Sequence, residues 1–400
     1  MQRDVRIDVI RGAGILMIAL DHLGAVAALL APAGFVVPFA TWTRIGWSSA
    51  AEFFVFFSGY LIGLVYVRTL QARGPLMLQA RAIHRSWQIY VANILTFCIV
   101  IALLYGSFIG SNVLVEAAQL SRFVSSQDAG AAWVGFLTLQ SAPMFFEILQ
   151  LYVILLIIAP LFLLLARASM LAALVVSSSI WLAVQINPAI NLASWHFNPF
   201  AWQLAFVLGM LCSVGGVFAR IESAVSRRRA LIVTGLLLAL AFAIKAVDKS
   251  GVALPLIGEV NVVGIEKDRL EALRLVHFLV SVVFVVLAMP REPRAQASLP
   301  MRSIARIGRH SLECFCVSTI GVYIAAALLL KTAAISSVNV FISGALLVAF
   351  VAAFAVFIEW VRSEPWRGER VRKPAREPLE STAPVTGVQF APAGTGGEGR

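Results

Sequence analysis

Charge is scarce in this chain. Asp, Glu, Lys and Arg make up 13% of its 400 residues, whereas hydrophobic types make up 60%; soluble domains carry about 25% charged residues. A water-facing globular fold is therefore excluded as the main architecture, and lipid is the expected solvent. Cysteine is scarce too. Cys98, Cys212, Cys314 and Cys316 all sit inside apolar runs, without the paired spacing of a zinc site or a secreted disulfide framework, and read as packing residues. The chain also lacks a Walker A loop, a dinucleotide fingerprint and a zinc-protease helix, which disfavours a nucleotide-driven pump and gives no reason to expect a metal or a bound cofactor. No internal repeat stands out, which counts against many transporter folds. The net charge of +11 is no sign of a nucleic-acid partner, because the basic residues lie between apolar runs rather than on one solvated face.

What the chain does have is long apolar runs. Ten are near the length needed to cross a bilayer, about 20 residues: 7–30, 45–67, 87–110, 149–166, 168–186, 200–219, 230–247, 271–289, 311–330 and 339–361. A weaker run, 131–148, is broken by Pro143 and reads as a half-helix or interfacial segment on the outer side. With the N-terminus inside, 24 of the 32 Lys and Arg fall in connections on the cytoplasmic side. The other eight are Arg44, Arg122, Lys245, Lys249, Lys267, Arg269, Arg274 and Lys331. This bias predicts an all-α, multi-pass protein of about ten transmembrane helices with both termini in the cytoplasm. Residues 1–361 form the transmembrane domain in this reading. The Pro-, Gly-, Glu- and Arg-rich residues 362–400 form a disordered cytoplasmic tail. A cleaved signal peptide is the weaker reading of the first run, since Asp21 and His22 would interrupt its apolar core.

Ionisable groups at bilayer depth cost roughly 2.5–3.5 kcal/mol each on insertion scales, so each needs a reason. The first run carries Asp8, Arg11, Asp21 and His22. Arg11 and His22 are eleven positions apart, which puts them within ~20° of one helix face and ~16 Å apart along the axis. Asp8 can pair with Arg11 as a rim salt bridge. Asp21 and His22 put two titratable groups into one turn, a pattern that favours function over packing.

The second run carries Glu52 with Ser48, Ser49 and Ser58, which suggests a helix facing a polar cavity. Gly59 and Gly63 are a small-residue pair suited to close helix packing. Ser58 has no base placed beside it by any motif, so a hydrogen-bonding role is preferred. Glu147 and Gln150 stand at the outer end of the fourth run, and His277 lies within the eighth. The segment Ser194-Trp-His-Phe-Asn-Pro-Phe-Ala-Trp-Gln203 combines His196 and Gln203 with aromatic platforms. It suits sugar stacking and an ordinary interfacial aromatic belt equally well. The basic stretches 68–85 and 302–309 could hold phosphates, although positive-inside sorting explains most of their charge.

Several segments, taken together, resemble the OpgC family of membrane acyltransferases. They are Asp8-x-x-Arg11-Gly with Asp21-His22, Ala51-Glu-Phe-Phe-Val-Phe-Phe-Ser-Gly59, Phe197-Asn-Pro-Phe-Ala-Trp-Gln-Leu-Ala-Phe-Val-Leu-Gly209, Leu273-Arg-Leu-Val-His-Phe278 and Gly308-Arg-His-Ser-Leu312. They occur in family order across almost the whole membrane part. The resemblance implies attachment of succinyl groups to periplasmic glucans in a bacterial inner membrane. The wider superfamily has an Arg-x10-His pattern in its first helix, which Arg11 and His22 fit. Its inner Arg-x-x-Arg element has Arg81-Ala-Ile-His-Arg85 as its nearest equivalent, one residue longer.

The resemblance further implies an acyl-CoA co-substrate entering from the cytoplasm, with its phosphates against Arg11, Arg81 and Arg85. Arginine's planar fork pairs with phosphate oxygens bidentately. His22 would deprotonate a sugar hydroxyl or carry the acyl group itself. Asp21 or, preferably, Glu52 would hold its tautomer, and Arg44 would meet a succinyl carboxylate. Ser58, Glu147, His196, Gln203 and His277 would line the acceptor side. The rivals from other classes are a secondary transporter or flippase, which would use the same buried groups to relay protons or bind cargo, and a helical scaffold, which would leave them unexplained.

Overall fold

The computed structural model describes residues 5–105, 112–124, 127–192, 195–250, 262–290, 296 and 298–364. Most of the expected tail lies outside these. The chain divides into a compact unit ending at Glu359 and a second unit from Trp360 onward. Among the described residues the secondary structure is helical, with no strand.

Each of the ten apolar runs falls largely in helix. The elements are α1 (Val5–Leu30), a short α2 (Trp42–Ile45), α3 (Ala50–Tyr105), α4 (Asn112–Ala117), α5 (Ala129–Leu137), α6 (Glu147–Ala168) and α7 (Met170–Ile186). They continue with α8 (Pro199–Val214), α9 (Val217–Ala224), α10 (Arg227–Ser250), α11 (Ala272–Ala288), α12 (Leu299–Arg309), α13 (Ser311–Lys331) and α14 (Ser337–Arg362). By length and composition six helices can cross a membrane: α1, α3, α6, α10, α13 and α14. The pair α8 and α9, bent by 68°, makes a seventh if it is one span, while α7 and α11 are shorter apolar helices. Two expected runs, the second and third, fall within the single 56-residue α3, which breaks at Gly74 (φ 77°) before Pro75. Glycine alone takes that backbone without strain, and proline suits the first turn of the second arm. The interrupted run 131–148 becomes the nine-residue α5 and an irregular stretch through Pro143.

Local signals explain several helix starts. Asn198 Oδ1 accepts from the Phe200 N–H, with Pro199 in the first turn of α8. Ser169 caps α7 by accepting from the Ala172 N–H. These are the preferred capping chemistries.

Glycines set the two tightest crossings. A Cβ on Gly12 would strike the Ile304 carbonyl, and one on Gly308 the Asp8 carbonyl, so α1 and α12 touch backbone to backbone. The same reciprocity joins α3 and α8, where Gly59 meets the Phe206 carbonyl and Gly209 meets the Phe56 carbonyl. In lipid, where helices gain nothing by hiding apolar faces from each other, such close approach supplies the packing energy.

The connections gather in two sets. One joins Arg6 to Glu222 at 3.0 Å, Arg227 to the Leu287 carbonyl at 2.9 Å, and Arg306 and Arg309 to Glu359. The other joins Thr43 to Asp21, Lys245 to the Thr43 carbonyl, the Asn198 N–H to the Asp268 carbonyl and Ser337 to the Val36 carbonyl.

Candidate active site

The Arg11–His22 stripe of α1 links two cavities. The first, of about 180 Å³, is lined by Arg11, Arg85, Ser58, Tyr152, Ser311 and Phe315, among others. Arg11 Nη2 donates to Ser311 Oγ at 2.5 Å, and its guanidinium lies 5.8 Å from the Phe54 ring centre. Arg85, on the second arm of α3, is exposed and donates to Gln88 Oε1. The Tyr152 hydroxyl donates to the Phe54 carbonyl at 2.6 Å and, having one proton, accepts from the Ser58 hydroxyl at 2.8 Å. The preference for a hydrogen-bonding Ser58 therefore has a partner in Tyr152, whose role the sequence did not announce.

The second cavity, of about 80 Å³, is lined by Asp21, His22, Thr43, Ser49, Glu147 and Lys267, among others. The His22 ring stacks on Phe145 at 3.9 Å between centres and meets Phe315 edge-on at 6.4 Å. Phe315 thus stands in the wall of the first cavity and against the imidazole of the second. Asp21 accepts from Thr41 and, at 2.6 Å, from Thr43.

Several expected partners are engaged elsewhere. Glu52 is fully buried, accepts from the Ser49 N–H at 2.8 Å and from its hydroxyl, and pairs with Arg274. Among the described residues no side chain hydrogen-bonds the His22 imidazole, so the expected tautomer-holding contact from Glu52 or Asp21 is not formed here. The physical reason is competition: buried Arg274 needs a carboxylate, and Glu52 is its partner. Arg44 lies 4.0 Å from Asp21 and is not in the wall of the His22 cavity. Arg81 donates to Thr69 at 2.8 Å, outside the cavity that holds Arg11 and Arg85. Gln203 is buried between α7 and α8, accepting from the Ser177 hydroxyl and donating to the Ser177 carbonyl. His277 Nδ1 accepts from the Ser48 N–H at 3.2 Å, which puts the ring proton on Nε2 and fixes the turn before α3.

Lys267 is the residue that sequence reasoning passed over. It counted there only as one cation among the outer loops, because Glu266-Lys-Asp-Arg269 gives no hint of which charge turns inward. Its ammonium packs over the Phe197 ring at 4.7 Å, and its carbonyl accepts from Trp202 Nε1. Burial lowers its pKa, opposed chiefly by the Glu52 carboxylate, with Arg274 adding to the lowering. His196 lies further out, edge-on to Phe197 at 5.1 Å.

A model of the OpgC protein family matches residues 3–363. The chain belongs to the OpgC family. No curated protein and no solved structure matches it. Membership makes this a membrane transferase of the OpgC kind. Among the described residues no cluster of His, Cys, Asp and Glu is arranged to hold a metal ion.

Proposed function

We propose that this protein is an O-acyltransferase that moves an acyl group, succinyl by family expectation, from a cytoplasmic acyl-CoA to a glucan or similar glycan outside a bacterial inner membrane. The observation that carries the reading is Phe315, which lines the Arg11 and Arg85 cavity and meets the His22 ring edge-on at 6.4 Å, so that the two ends of the Arg11–His22 stripe are bridged by one side chain. Ten crossings with both termini cytoplasmic belong to the same proposal. They put Arg11 and Arg85 toward the donor and Glu147 and Lys267 toward the acceptor.

In this mechanism Arg11 and Arg85, helped by Arg81 at the rim, hold the donor phosphates, and the thioester end reaches past Phe315 to His22. The imidazole takes the proton from a sugar hydroxyl as its oxygen forms a bond to the acyl carbon. The carbon–sulfur bond breaks, and the proton passes on to the leaving thiolate. An acyl-histidine intermediate reaches the same products in two steps. Stacking on Phe145 holds the ring orientation that a carboxylate supplies in many other sites. Lys267, rather than Arg44, is the cation available at the reaction centre. It stabilises a developing oxyanion or meets the carboxylate of a succinyl group.

The test is mass spectrometry of surface and periplasmic glycans from cells with the wild-type gene, the deletion, and His22→Ala. Loss of one acyl mass in both altered strains is the expected result. Unchanged acylation in the deletion refutes the enzyme reading and turns attention to transport of the same cargo.

A further inference from the structure

Two further cavities adjoin the His22 cavity, each having one lining residue in common with it. One, of about 280 Å³, runs between Gln119, Arg122, Gln140 and Gln150, with Glu147 at its inner end. The other, of about 450 Å³, runs between Pro188, Asn191, Glu266 and Asp268, with Lys267 at its inner end. Glu147 and Lys267 both line the His22 cavity, and the two outer cavities meet each other at Trp195 and His196. The result is two arms that share Trp195 and His196 and each reach a residue of the His22 cavity, of a size comparable to small-molecule sites, roughly 300–1,000 Å³.

Their lining is chemically distinctive. Amides, an indole and an imidazole predominate, and the cations Arg122 and Lys267 are matched by Glu147, Glu266 and Asp268. Such a surface suits an uncharged polyhydroxyl chain better than a polyanion. Three buried polar atoms along it, Trp195 Nε1, Asn191 Oδ1 and Arg122 Nε, have no hydrogen-bond partner among the described residues. Native proteins rarely leave such atoms unmatched, and sugar hydroxyls can both donate to and accept from them. A site for a chain end would need one arm and a closed wall. This one has two arms, one reached through Glu147 and one through Lys267.

We propose that the two arms form one groove that seats an uncharged sugar polymer by a stretch within its chain, so that acylation falls on internal residues. This rests on the acyl-transfer reading of His22. The groove divides the acceptor into a segment held by the glutamine-lined arm, a reacting unit over Glu147 and Lys267, and a segment held by the Asn191 arm.

The experiment uses the full chain in membrane vesicles with acyl-CoA and a linear gluco-oligosaccharide long enough to span both arms. Products are mapped by tandem mass spectrometry, and acceptor KM is measured for Gln140→Trp and Ala189→Trp, which fill one arm each from exposed positions. Expected are acyl groups on internal residues and a KM raised about tenfold by each variant, the equivalent of ~1.4 kcal/mol of lost binding, with kcat largely retained. Acyl groups confined to chain ends, read on the wild-type protein alone, overturn the groove while leaving acyl transfer standing. An unchanged KM in both variants does the same. Wild-type vesicles that acylate no acceptor overturn the groove and the acyl-transfer reading together.

Discussion

His22 owes its surroundings to aromatic rings rather than to a carboxylate. With Phe145 stacked on one face and Phe315 against its edge, the imidazole is oriented by packing, and its nitrogens are left to serve the substrates. General-base catalysis supplies about 10² to 10⁴-fold in rate. His22→Ala is therefore expected to lower transfer by at least that lower figure, with normal amounts of protein in the membrane on an immunoblot. Retention of more than about a tenth of wild-type transfer would be too much for a catalytic base.

At Lys267 the prediction concerns selectivity. Lys267→Met keeps the length and the contact with Phe197 but removes the charge, so the ratio of succinyl to acetyl transfer is expected to fall, and Lys267→Arg to restore most of it. Competition between the two acyl-CoA donors in one vesicle preparation measures that ratio directly. An unaltered ratio would leave the cation an oxyanion role alone.

Glu52 is a residue whose loss is structural. Glu52→Gln strands the buried Arg274 guanidinium, and breaking such a pair costs about 3–5 kcal/mol. A lower thermal midpoint in detergent and reduced accumulation in the membrane are expected, and Arg274→Met in addition should recover part of the loss. A double variant no more stable than Glu52→Gln would show that the pair does not work this way.

Among the elements, the two glycine crossings hold the site in register. Gly59 lets α3 lie against α8, and Gly12 lets α1 lie against α12; α3 brings Ala51 and Ser58 to the cavities, and α1 brings Arg11 and His22. The neighbour at each glycine is backbone, so it cannot swing aside as a side chain would. Gly59→Val is expected to push the helices apart and abolish transfer, whereas Gly14→Ala, with open space around its position, should fold and accumulate as the wild type does. Size-exclusion profiles in detergent distinguish the two. The small-residue pair on α3 was legible as a packing motif. Its partners Phe206 and Ser213 were not, because a spacing names one helix face and never the helix that covers it.

For the molecule as a whole, sidedness is the open prediction. With the four native cysteines replaced, Ala189→Cys is expected to react with an impermeant maleimide in intact spheroplasts, and Ser223→Cys only after disruption. The reverse pattern would invert the orientation and with it the assignment of donor and acceptor cavities. Ala189 lines a cavity with Asp268, whose carbonyl accepts from the Asn198 N–H, and Ser223 adjoins Glu222, which pairs with Arg6, so the two positions probe the two sets of loop contacts.

The sequence by itself determined that this is a helical membrane protein, because lipid admits few charges and leaves the backbone no partner but its own helix. It also singled out Arg11 and His22, since eleven positions on a helix are a fixed angle and rise. Only the tertiary structure decided who accompanies them. Glu52 faces Arg274 rather than His22, Arg44 stands beside Asp21, and Lys267 turns inward from a loop more than two hundred residues along the chain. Those choices depend on which buried charge finds which partner when distant helices meet, and that competition has no signature in local spacing.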